Sequence, residues 1–218
     1  MQFTTELIDK IQEKFSGTLP GRAAQYRMAH VGRDHPAPDI NKTKKAAVVI
    51  LLYPNEAGNT QLVLIQRVFH PKDRHSGQIS LPGGKLEVSD PSPKAAALRE
   101  LEEELGVPSS NVTILGQLSD LHISVSNFLV YPFLGVTNKR PEFIPQLTEV
   151  HAIIETPLEI FLEKSMRQKK NLKLPNGTIL KNVPYFDIQG HTVWGATAMI
   201  LNEFSELLSG NILSVENG

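Results

Sequence analysis

There is no cysteine among the 218 residues. That excludes disulfides, thiolate metal sites and a cysteine nucleophile, and it fits a reducing compartment. Neither sign of charge is in excess: 22 basic residues stand against 23 acidic ones, for a net charge of −1. No global field therefore draws the chain to nucleic acid or to an anionic membrane. No apolar run approaches the roughly 20 residues that a bilayer demands. The first residues, MQFTTELIDKIQEKF, carry acidic side chains at helical apolar spacing in place of a basic start and an apolar core, so no signal peptide is expected. These absences lead to the expectation of a cytoplasmic protein whose partners include neither nucleic acid nor a membrane.

What is present is an ordinary globular composition, 40% hydrophobic and 21% charged, in a chain long enough to bury a core without a staple. Phe3, Leu7, Ile11 and Phe15 fall on one stripe and predict a short helix over residues 3–15. The Gly-, Pro-, His- and Asp-rich stretch from Ser16 to Asn41 reads as irregular wrapping. AAVVILLYP and QLVLIQRVF, separated by NEAGNT, read as adjacent strands joined by a turn. Residues 70–84 are polar and glycine-rich, hence loop. Ser92 can cap a helix over 93–105 with Pro93 in its first position, and Gly106 can stop it. Strands are expected at NVTILGQL, NFLVYPFLGV and EVHAIIE, a short helix at PLEIFLEK, and two further strands at GTIL and VPYFDI. A last helix runs from about Val193 to Leu208, with apolar residues at 194, 198, 201, 204 and 208. The pattern predicts an α/β fold, a mixed sheet between helices. Residues 1–40 are expected to form a helical extension packed on a domain of residues 41–218.

The chemistry concentrates in LPGGKLEVSDPSPKAAALRELEEELGV, residues 81–107. On a helix, Glu100, Glu103 and Glu104 lie at i, i+3 and i+4 and share a face, while Ala97, Leu101 and Leu105 can face the core. A solvated acidic surface is the ordinary meaning of such a run. It calls for basic neighbours, yet Arg99 is the only Lys or Arg between Ala95 and Asn138. Glu103 and Glu104 also occupy the last turn, where the helix dipole disfavours negative charge. A hard divalent cation, magnesium or manganese, reverses both penalties, because carboxylate oxygens are the ligands it selects. Gly83 and Gly84, which alone would signal only a turn, let backbone approach such a cation closely.

Glycines and helix together resemble the Nudix box, G-x5-E-x7-R-E-U-x-E-E-x-G-U with U bulky and aliphatic. Gly84, Arg99, Glu100, Leu101, Glu103, Glu104, Gly106 and Val107 fill its positions. Asp90 stands where Glu is usual, and eight residues instead of seven separate it from Arg99. The resemblance implies a Nudix fold and metal-dependent hydrolysis of a nucleoside diphosphate derivative. Glu100 and Glu104 become principal ligands of Mg2+ or Mn2+, and Glu103 binds metal or water or serves as base. The Gly84 carbonyl completes the site, and Arg99 orients the glutamates. Metals neutralise the diphosphate and activate a water that attacks phosphorus, with no covalent enzyme intermediate.

A second likeness narrows the substrate. VLIQRV at 63–68 and HSGQISLPGGK at 75–85 resemble the coenzyme A pyrophosphatase signature LLTxRSx3Rx3Gx3FPGG. Gly77 and Leu81-Pro82-Gly83-Gly84 match its second half, with Leu for Phe, and Arg67 matches the strand arginine, with Val68 for Ser. The connector is longer than the pattern, leaving Lys72 and Arg74 as nearby candidates for its second arginine. SVSNFLVYPFLG and VWGATAMILNEF also look like segments of this branch. The implied reaction yields 3',5'-ADP and 4'-phosphopantetheine. ADP-ribose is the rival substrate, and a non-catalytic nucleotide sensor the rival class. For substrate contacts the candidates are Arg67, against pairing with a surface carboxylate; His75, against holding a turn; and Gly83. Glu149 is an extra base or ligand, or else a structural hydrogen-bonding group. Lys164, Arg167, Lys169, Lys170 and Lys173 form either an exposed loop or a dock for an anionic group such as a 3'-phosphate. Oligomeric state is left open, a homodimer being common in the family.

Overall fold

The most apolar stretch of the chain becomes its central strand, β1 (Lys44–Pro54), and alternate residues of it serve two different cores. Ala47, Val49, Leu51 and Tyr53 pack on one face of the sheet, and Ile50 and Leu52 on the other. A strand covered on both sides needs apolar side chains on both, which is why its sequence shows no polar alternation. The structure, a computed structural model, describes residues 1–30, 43–70, 76–174 and 177–209.

β2 (Thr60–Arg67) runs antiparallel to β1. It is flanked in turn by β3 (Ile79–Ser80) and β8 (Val150–Pro157). The other edge of β1 takes β4 (Gly83–Lys85), antiparallel, and β7 (Phe128–Val136), parallel. β5 (Thr113–Gln117) and β6 (Leu121–Ile123) add to β7. The result is an eight-stranded mixed sheet. One face is covered by α3 (Pro93–Leu105), through Ala96, Ala97, Leu101 and Leu105. The other is covered by α4 (Gly195–Leu208) and the N-terminal helices α1 (Thr5–Lys14) and α2 (Gly21–Tyr26). Three further strands, β9 (Arg167–Lys173), β10 (Ile179–Ile188) and β11 (His191–Trp194), make a small antiparallel sheet of their own.

The helix expected over 93–105 is present with its Ser92 cap and Gly106 stop. Several other expectations need correction. Residues 70–84 are not all loop, because β3 lies there and β4 begins there; strands of two and three residues show no periodicity. GTIL and VPYFDI are parts of one strand, β10, interrupted by a register shift between Leu180 and Val183 with Asn182 at φ 54°. The final helix starts at Gly195, since Val193 and Trp194 belong to β11. PLEIFLEK holds only a 3-10 turn, Leu158–Phe161. The stretch after Ser16 is not mere wrapping: α2 buries Ala24 and Gln25, and Met28 joins the core. The basic stretch is no loop from Arg167 onward but the edge strand β9, where charge discourages further strand addition.

Candidate active site

α3 enters the site because its apolar stripe docks on β1 and so turns its acidic residues towards β4. The Glu104 side chain is 2% exposed and that of Glu100 14%, while Glu103 stays at the rim with 57%. The three carboxylates predicted to share a face therefore divide into two enclosed groups and one solvated group.

β4 explains why the enclosure is possible. Gly83 N–H donates to Glu104 Oε2 at 2.8 Å. A Cβ on Gly83 would overlap the backbone of Ala47 and approach Val48 Cα to 2.6 Å, and its φ of +143° is itself a glycine conformation. A Cβ on Gly84 would lie 2.5 Å from both Glu100 carboxylate oxygens. The Gly-Gly pair thus lets the strand end press against both enclosed glutamates.

Arg99 organises the opposite side. Its Nε and Nη2 donate to the two oxygens of Asp90, each at 3.0 Å, and Nη2 also to the Lys85 carbonyl at 3.2 Å. Its Nη1 lies 2.8 Å from Glu103 and 3.1 Å from Glu100. The departures from the usual box are absorbed here. The extra residue is taken up in a turn, with Asp90 N–H bonded to the Glu87 carbonyl and Glu87 N–H to Asp90 Oδ2. The shorter Asp still reaches Arg99 with both oxygens. Bonding to Arg99 holds the Asp90 carboxyl below its usual range, and bonding to Asp90 pushes the Arg99 guanidinium higher still.

Arg67, from β2, approaches Glu104 Oε1 at 3.7 Å. Among the described residues, this carboxylate beside it is a buried one. The reading of the helix alone found no cation but Arg99; the second comes across the sheet. Even so, burial pushes the Glu104 carboxyl up to about 7, against the Gly83 hydrogen bond and Arg67, with Glu100 and Glu149 adding to the rise. Burial also raises Glu100, against Arg99. Glu149 is exposed at the end of a loop that caps α3: Ile144 N–H bonds to the Leu105 carbonyl and Gln146 N–H to that of Glu104. Sequence reading missed Ser80, whose Oγ is buried with no hydrogen-bond partner among the described residues. It lies beside Ile65 on the α3 face, and a lone serine in a loop-like stretch gives no signal. His75, Lys72 and Arg74 lie outside the described residues.

Two enclosed, proton-hungry carboxylates beside a bare backbone suit a hard cation. Among the described residues no three acidic or histidine side chains are gathered into a ready cage. Magnesium needs none, since it is commonly held by one or two carboxylates with waters and substrate phosphates.

Fold and site together define a class of protein built round an acidic helix against a glycine-bearing strand. Comparison with known proteins names the family: the NUDIX domain matches residues 43–175. The chain belongs to the Nudix family, and the fold is the Nudix fold. It is 35% identical over 170 residues to Nudix hydrolase 15, mitochondrial, of Arabidopsis thaliana, covering 75% of this chain and 58% of that protein. It is 33% identical over 148 residues to a Yersinia pestis protein named as the uncharacterized Nudix hydrolase NudL, covering 68% and 72%. The chain therefore spans less than two thirds of the plant relative. A MutT/nudix family protein from Enterococcus faecalis shares the fold, with a TM-score of 0.50 at 16% identity over 95% of this chain and 75% of that one. Among the described residues no helix is long and apolar enough to cross a membrane.

Proposed function

We propose that the protein is a divalent-metal-dependent pyrophosphatase that cleaves coenzyme A or a derivative into 3',5'-ADP and 4'-phosphopantetheine. The observation that carries the chemistry is the enclosed Glu100–Glu104 pair pressed against Gly83 and Gly84. Glu100, Glu104 and the Gly84 carbonyl would hold Mg2+ or Mn2+. When bound, the cation supplies charge neutralisation of the diphosphate and makes a water more acidic.

The remaining work falls to the chain's own side chains. Arg99 fixes Glu100 and Glu103 relative to Asp90 and β4. Glu103, solvated at the rim, accepts the proton of the attacking water. Arg67 stands beside Glu104, where a guanidinium can grip a phosphate oxygen through paired hydrogen bonds. For the substrate, the support is the signature segment itself. Arg67 N–H bonds to the Gln78 carbonyl, so the matched arginine and the Gly77–Gly84 half of the pattern are neighbours. A nucleotide sensor can dispense with ligands, and this chain keeps the full set. The cytoplasmic placement belongs to this reading too, although the plant relative's name places that protein in mitochondria.

A panel of diphosphates, assayed with magnesium and with manganese and with products identified by mass, tests the proposal. Coenzyme A is expected to be preferred to ADP-ribose. Equal rates, or ADP-ribose preferred, would overturn the coenzyme A reading and leave the Nudix chemistry standing. Glu104→Gln should lower turnover at least about a hundredfold while the fold survives; near-normal turnover would remove the helix from the mechanism.

A further inference from the structure

Between Lys164 and Asn202 the chain carries six Lys and Arg against a single acid, Asp187, in a protein whose net charge is −1. Two of these cations are already engaged. Arg167 donates to Asn202 and Ser205. Lys170 bonds to Thr192 at 2.5 Å and lies 4.4 Å from the centre of the Tyr185 ring. Asp187 accepts from Gly190 N–H. Lys173 is different. It lines an open cavity of about 370 Å3 where β9 and β11 meet Gln66, Gly77 and Gln78 of the catalytic sheet. His191 and Trp194 line it too, and among the described residues no acidic one does. Among the described residues none of these three side chains makes a hydrogen bond or ion pair. A cation, an imidazole and an indole are left on one cavity.

The cavity adjoins the catalytic site but does not share its face. Gln66 pairs with Ile79 and points to the α4 side, while the next residue, Arg67, points to Glu104 on the α3 side.

We propose that this cavity binds a phosphorylated nucleoside, its base against Trp194 and its phosphate met by Lys173 and His191. The shared requirements are an aromatic plane for the base and uncompensated positive charge for the phosphate. On the coenzyme A reading above, on which this assignment of the ligand rests, the occupant is the 3'-phosphorylated adenosine end of the substrate. That end passes round the end of β2 from the carboxylates.

Trp194 is the only tryptophan, so its fluorescence reports the cavity whether or not the enzyme turns over. The protein, without metal, is titrated with adenosine 3',5'-bisphosphate. A saturable change is expected, weakened about tenfold or more in Lys173→Ala, the scale of one lost charge-assisted bond, and weaker for 5'-AMP. No saturable change, or equal affinities in wild type and Lys173→Ala, overturns the site. In the hydrolysis assay Lys173→Ala should raise KM for coenzyme A about tenfold with kcat kept, and leave dephospho-coenzyme A unaffected; an unchanged KM for coenzyme A refutes its use as the substrate subsite. Saturable binding without any coenzyme A hydrolysis supports the cavity and overturns the substrate reading instead, so the two failures are distinguishable.

Discussion

Glu104 is held where a carboxylate is costly. Burial raises its carboxyl to about 7 from an ordinary 4.5, so the folded chain binds that proton more tightly than the unfolded one. Stability from this group is complete below about pH 4.5 and is lost as the pH rises through about 7. The size is on the order of 3 kcal/mol. Without metal, the melting temperature of Glu104→Gln should therefore gain on that of wild type between pH 5 and pH 8. Parallel curves would show that the carboxylate is not strained. A cation replaces the proton, so millimolar magnesium or manganese should raise the wild-type melting temperature by mass action, and by more at pH 8 than at pH 5. A metal-insensitive melting curve in an active preparation would contradict the assignment of Glu100 and Glu104.

At the scale of elements, the site depends on how closely β4 approaches α3. Gly84→Ala places a methyl group 2.5 Å from both Glu100 carboxylate oxygens. The glutamate must leave or the strand must shift. Activity should fall at least about tenfold, the expected scale for moving one charged ligand group, with higher metal concentrations needed for half-maximal rate. Unchanged metal dependence would mean that Glu100 is not a ligand. Much of this region was legible beforehand. A 3.6-residue period, a serine cap and a stop glycine specify α3, and the same helix lines up Glu100 and Glu104. The approach of Arg67 to Glu104 was not legible, because it depends on β2 and α3 meeting across the sheet and no local spacing encodes that. β3 and β4 are too short to show a period. β9 is too polar to look like a strand, being an edge of which Lys169 and Lys173 are exposed while Arg167 and Lys170 are held by side chains distant in sequence.

At the scale of the molecule, α2 is tied to the rest through a second buried acid that the sequence reading did not single out. Glu203, on α4, is fully enclosed. Its carboxylate accepts from Gly21 N–H and Ser119 N–H, each at 3.1 Å, and from the Gln25 side chain at 2.7 Å. One group therefore joins α2, α4 and the turn between β5 and β6. Asn202 beside it donates to the Ala24 carbonyl at 2.7 Å, closing α2 onto the same helix. Removing the carboxylate strands the Gly21 and Ser119 N–H donors, at about 1–3 kcal/mol for each group left unsatisfied, while the Gln25 amide keeps its bond to the Ser119 carbonyl. Glu203→Ala should lower stability by roughly 2 kcal/mol or more. Hydrogen exchange should rise first in α2, while α3 and its capping loop stay protected. Because α4 also leads out of β11, binding of adenosine 3',5'-bisphosphate should weaken before metal binding does. If exchange rises uniformly through the chain, Glu203 supports the whole core and does not selectively anchor α2.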